Sequence, residues 1–96
     1  MKVSLNVRRQ IGRFLPECDV AAAITAMESA ELPLVSGTSD RIQFALLLLA
    51  KSDINRFRRE LKQAQIDWRD TLVAAGLANE DWPGILTKLG IEFESP

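Results

Sequence analysis

Between Asp40 and Lys51 the chain reads "DRIQFALLLLAK", and this stretch restricts the fold more than any other. Wound as an α-helix at about 100° per residue, its apolar groups from Ile42 to Ala50 cover nearly the whole circumference. Gln43 and Lys51 mark its polar edge. A helix that is apolar all round must be buried on most sides. The run Phe44 to Ala50 is far short of the roughly 20 apolar residues a membrane span needs, so protein has to cover it. In a chain of 96 residues two arrangements remain. Either the other helices wrap this one, or a partner covers its spare face.

Ninety-six residues make one domain, 1–96, near the low end for a self-sufficient core. At 47% hydrophobic and 26% charged residues, the composition is globular and far from the disordered regime. One Cys allows no disulfide within the chain, so the core must come from packing, extended if need be by dimerisation. A lone Cys also fits a reducing compartment. Lys2 and the nearby arginines are followed by no apolar run before Pro16, so no secretory leader is expected. These features predict a cytoplasmic protein without a membrane segment.

The flanking sequence supplies further helices. Val7, Ile11, Phe14 and Leu15 share one face of a helix predicted over 5–15. Gly12 weakens it, and the alternation of Val3, Leu5 and Val7 keeps a short strand as the rival. Pro16 ends the segment, because the residue before a proline is pushed out of helical geometry. Asp19 is the expected N-cap of a helix over 19–31, with Val20, Ala23, Ile24, Met27 and Ala30 on one side. Leu32-Pro33 stops it, and "VSGTSD" is turn chemistry. Thr38 or Ser39 is expected to cap the apolar helix, 39–51. Ser52 or Asp53 should cap the next, 53–65, whose Ile54, Phe57, Leu61 and Ala64 form an amphipathic stripe. Arg56, Arg58, Arg59 and Lys62 fan over its other side. Without Asn-Gly hairpins or sustained β-branched alternation, the fold class is all-α: a compact array of five to six short helices. Residues 91–96 should form an extended or frayed tail.

Two segments of matching sequence follow, "DWRDTLVAAGL" from Asp67 and "DWPGILTKLGI" from Asp81, fourteen residues apart. Both give Asp-Trp-x-x-x-Leu-x-x-x-Gly-apolar. Most of this match is start and stop signalling in two short helices, 67–75 and 83–89. Asp67 is a natural N-cap, and Gly76 and Gly90 are the left-handed residues that end helices, each followed by an apolar contact. Pro83 favours the first helical position, which would make Trp82 the cap. Trp68, sharing a face with Leu72 and Ala75, should be buried. Trp82, beside Glu80 and Asp81, should be partly open.

The block "DRIQFALLLLAKSDINRFRRELKQAQIDWRDTLVAAGLANEDWP" resembles a family of small bacterial proteins of unassigned function. The shared elements are an Arg-Ile/Val-x-x-Ala helix, a following Asp-x-x-Arg helix and the Asp-Trp-Arg-Asp-x-Leu-Val-Ala-Ala run. The resemblance covers under half the chain. It implies a compact helical domain and carries no site across.

Catalysis is short of parts. Neither His nor Tyr is present, so the commonest general base is missing. Cys18 is flanked by Glu17 and Asp19, which disfavour the thiolate. The one carboxylate cluster, Asp67, Asp70, Glu80 and Asp81, has no EF-hand spacing, and capping already explains Asp67. "SGTS" lacks the lysine and spacing of a phosphate loop. The expectation is therefore no enzyme, no cofactor and no metal.

Charge alternates in blocks along the chain around a net of −1. Such blocks suit attraction between helices or a self-complementary dimer, although clustered solvated faces account for them as well. The sequence reading is a protein-interaction or regulatory module that self-associates or docks a larger partner, with Trp82, Glu80 and Asp81 as its contact residues. The alternative is a helix-turn-helix in which Arg56 and Arg59 face nucleic acid. The acidic balance opposes it.

Overall fold

The computed structural model describes residues 1–32 and 39–91. Among these the fold is all-α: six helices and no strand. They are α1 (Leu5–Gln10), continued by a 3-10 turn (Ile11–Arg13), α2 (Glu17–Ser29), α3 (Ser39–Ala50), α4 (Ile54–Ile66), α5 (Trp68–Ala75) and α6 (Trp82–Lys88). The expected stop at Pro33, the cap at Thr38 and the tail beyond Ile91 lie outside the described residues.

Helix α3 is the axis of the fold, with α4 and α5 packed along it and α1 against its first turns. Ile42, Phe44, Ala45, Leu46, Leu47 and Ala50 are buried, while Leu48 and Leu49 are half-buried. Of the two arrangements open to an all-apolar helix, wrapping by its own chain is the one adopted. The apolar surplus of Ile42–Ala50 is therefore spent inside the domain. Gln43 corrects the expected polar edge: it is fully buried. Its Nε2 donates to the Lys2 carbonyl and to Ser39 Oγ, both at 2.8 Å, and its Oε1 accepts from Ser4 N at 3.3 Å. A buried amide is tolerated when both its ends are bonded. Here those bonds tie the start of the chain to the central helix.

The N-terminal segment is helix, not strand. Ser4 caps α1, its Oγ accepting from Val7 N at 3.2 Å. Val3, Val7, Ile11 and Leu15 form the buried row, while Leu5 is 62% exposed. The α-geometry stops at Gln10, short of the expected 15, and tightens into the 3-10 turn that contains Gly12.

Helix α2 begins two residues earlier than expected, and Asp19 is not its cap. Pro16, extended at φ −57° and ψ 146°, occupies the cap position with no side-chain bond. Glu17 and Asp19 sit in the first turn, where their charge complements the helix dipole. Ala23 and Met27 face the core. Ser39 likewise is the first residue of α3 rather than its cap.

Asp53 caps α4 as expected, accepting from Asn55 N at 2.8 Å and Arg56 N at 3.3 Å. Phe57, Leu61 and Ala64 are buried along the predicted stripe. The turn before it contains two consecutive non-glycine residues at positive φ, Lys51 at 48° and Ser52 at 65°. Left-handed backbone costs an ordinary residue roughly 1–2 kcal/mol, so contacts from outside the turn must hold it.

The two matching segments are equivalent in most of their stop signals. Gly76 and Gly90 have φ of 78° and 80°. Leu77 N donates to the Leu72 carbonyl at 2.9 Å, and Ile91 N to the Leu86 carbonyl at 3.0 Å. Both closing residues, Leu77 and Ile91, are buried. Their starts differ, and not as expected. Both aspartates occupy the cap position, so Trp82 is the first helical residue and not the cap. Asp67 accepts from Arg69 N at 3.1 Å, whereas Asp81 makes no capping bond.

Candidate interaction surface

Arginines in this domain do two kinds of work, and separating them defines the surface. One kind caps helix ends and connections. The last carbonyls of a helix have no partner within it. Arg56 Nε donates to the Leu49 carbonyl in the last turn of α3 at 2.7 Å. Arg13 donates to the Gly90 carbonyl beyond α6 at 2.5 Å. Arg41 Nε reaches the Leu77 carbonyl at 2.6 Å and its NH2 group reaches the Asn79 carbonyl at 3.2 Å, clamping the connection between α5 and α6. Cations at these places also complement the negative helix ends. Arg8 instead pairs with Glu28 of α2 at 3.2 Å.

Of the nucleic-acid pair expected from sequence, Arg56 and Arg59, the first has a bond within the fold. It is half-buried and held against the end of α3, while Arg59 is exposed.

The second kind lies on the outer face of α4. Arg58, Arg59 and Lys62 are exposed, and among the described residues none of them has a hydrogen bond or ion pair. No acidic residue stands three or four positions from any of them. Arg58 and Lys62 are at i, i+4, and Arg59 and Lys62 at i, i+3, so the row repels itself, costing about 0.2–0.5 kcal/mol per pair. At about 100° per residue, Arg59, Lys62 and Ile66 fall within an arc of about 60°. Ile66 is 78% exposed, the most open large apolar side chain described. The row itself, Arg58, Arg59 and Lys62, with Leu61 and Gln65, lines an open, mostly carbon-walled groove of about 270 Å³. Alkyl stems of Arg and Lys form such walls readily while their heads stay in water.

Helix α5 continues from this end. The Arg69 guanidinium carbon lies 5.5 Å from the centre of the Trp68 ring. Trp68 packs on the core but is only half-buried, which corrects the expectation of full burial. Val73, one turn on, is 66% exposed.

The contact residues chosen from sequence sit at a separate corner, the start of α6. Glu80 and Asp81 are exposed, and Trp82 is half-buried against the core, partly open as expected. Among the described residues Glu80 and Asp81 have no side-chain partner. Sequence reasoning did not single out Ile66, Arg69 or Val73. The signal for Ile66 was present, since its helical angle matches Arg59 and not the Phe57–Leu61 stripe.

Elsewhere, Lys2, Arg8 and Asp40 border a wider depression of about 530 Å³. Asp40 there accepts from Asn6 Nδ2 at 3.2 Å, and its lining mixes both signs. Cys18 is exposed. Among the described residues no group of three His, Cys, Asp or Glu could hold a metal ion. None of their helices is long and apolar enough to cross a membrane. No protein-family model matches the chain, and neither a curated protein nor a solved structure does.

Proposed function

We propose that this protein is a small, non-enzymatic docking module of the cytoplasm, and that its outer α4 face is where a protein partner binds. One observation carries this reading: the row Arg58–Arg59–Lys62 opposes the stability of its own helix and shares its face with an isoleucine left in water. A surface that only needed solubility would mix charge signs and carry no large apolar group beside them. Cations beside an apolar anchor suit a protein interface, where a buried apolar contact supplies affinity and charge supplies orientation. The lack of His and Tyr in the sequence supports a role without chemistry.

Nucleic acid is the second reading, and the same basic row favours it. Against it stand Asp67 and Asp70, exposed directly after Ile66, and the net charge of −1. Three phosphate contacts would give a salt slope of only about −2.7.

A photo-reactive residue at position 66, in the cell that makes the protein, tests the first reading. It is expected to capture a defined protein contact that the same residue at the exposed position 31, outside α4, does not. Equal capture at both positions would overturn it. For the second reading, a labelled 20-base-pair duplex should show no saturable binding to the purified protein at 150 mM salt; binding abolished by Arg59→Glu would install nucleic acid instead.

A further inference from the structure

Two charged surfaces of opposite sign stand on this one chain. The outer face of α4 carries Arg58, Arg59 and Lys62 with Ile66 at its end. The start of α6 carries Glu80 and Asp81 with the half-open ring of Trp82. Among the described residues, none of these five charged groups has a partner within the molecule. The idleness of Asp81 is the telling detail. Asp53 and Asp67 stand at the same helix position and spend their carboxylates on backbone amides. Asp81 stands there and makes no such bond. Its charge is available outward, as the charges of the α4 row are.

We infer that the occupant of the α4 face is a second copy of this chain, which presents its Glu80–Asp81–Trp82 corner to the Arg58–Arg59–Lys62–Ile66 row. The inference rests on the docking reading above and names its partner. Both halves of the contact are then the same in kind: carboxylates against guanidinium and ammonium groups, and an indole against an aliphatic side chain. Arginine and tryptophan are the residue types most enriched where interfaces hold tightest. In a two-fold dimer the contact occurs twice, the row of each copy meeting the corner of the other. The chain's balance of sign also fits: a nearly neutral molecule with charges sorted into opposed patches attracts its own kind, and a net charge of −1 does little to keep copies apart.

The test uses the purified full chain in sedimentation equilibrium across protein concentration, at low and at high salt. The parent is expected to show a mass rising toward that of a dimer, weakened at 1 M salt, where screening acts within about 3 Å. Arg58→Glu/Arg59→Glu makes both surfaces acidic, and Glu80→Lys/Asp81→Lys makes both basic. Each variant alone should associate at least about tenfold more weakly, because like charges then meet across the interface. An equimolar mixture of the two should recover a dimer, since every row in the mixed pair faces a corner of opposite sign. Circular dichroism of each variant confirms that it folds. A parent that stays monomeric at every concentration overturns the inference, as does a dimer that neither variant weakens or a mixture that fails to recover it. Capture of a different protein from position 66 by a monomeric parent would leave the docking reading standing and remove this one alone.

Discussion

Arg56 and Arg59 lie three residues apart on one helix, and replacing each by Ala should have sharply different consequences. The Arg56 guanidinium caps the Leu49 carbonyl at 2.7 Å. That carbonyl belongs to the last turn of α3, where the neighbouring Ala50 carbonyl is met by Asp53 N at 3.0 Å. Arg56→Ala removes a charge-assisted hydrogen bond worth about 1.5–3 kcal/mol. It also removes a cation from a helix C-terminus, worth about 0.3–1 kcal/mol and overlapping with the first figure. The connecting turn is strained at Lys51 and Ser52, so it has little reserve with which to readjust. A loss of about 1.5–3 kcal/mol in a domain of this size lowers the melting temperature by roughly 6–24 °C. Arg59 makes no side-chain hydrogen bond or ion pair among the described residues, so Arg59→Ala should stay within about 0.5 kcal/mol of the parent. Paired urea titrations give the measurement: the Arg56 variant should shift its midpoint at an unchanged slope. Arg56→Lys should recover part of the loss, and Arg56→Glu should exceed it by placing a carboxylate against the helix end. If the two alanine variants unfold together, the division between fold-holding and unemployed arginines is wrong.

Two further outcomes follow from burial and capping. Leu46→Ala empties a fully buried site and should cost about 2–5 kcal/mol, whereas the half-buried Leu49→Ala should cost clearly less; thermal melts of the two that coincide would contradict the placement of α3. Asp67→Ala should destabilise by about 1 kcal/mol and Asp81→Ala by close to none, because only the first carboxylate accepts a bond from its helix; equal losses in chemical denaturation would mean that Asp81 caps α6 in solution.

Much of this fold was legible in the sequence, because helix boundaries are written in local interactions. Asp53, Asp67, Gly76 and Gly90 act within a few residues of themselves, and each does what its position promised. The all-apolar run of α3 fixed the centre of the domain by the same token: wherever the other helices went, they had to cover it. Asp19 failed as a cap because Pro16 already offered a helix start, and two local signals competed within three residues.

What the sequence could not decide depends on groups far apart in it. Gln43 looked like a polar edge until Lys2 and Ser4, about forty residues away, supplied its partners. Arg56 looked solvated until the end of α3 came within reach. Trp68 looked buried because its helical face is apolar, but a face buries a ring only as far as the neighbouring helix extends over it. Periodicity gives the direction in which a side chain points. Tertiary packing decides whether anything stands there to meet it, and on the outer face of α4 nothing in the described fold does.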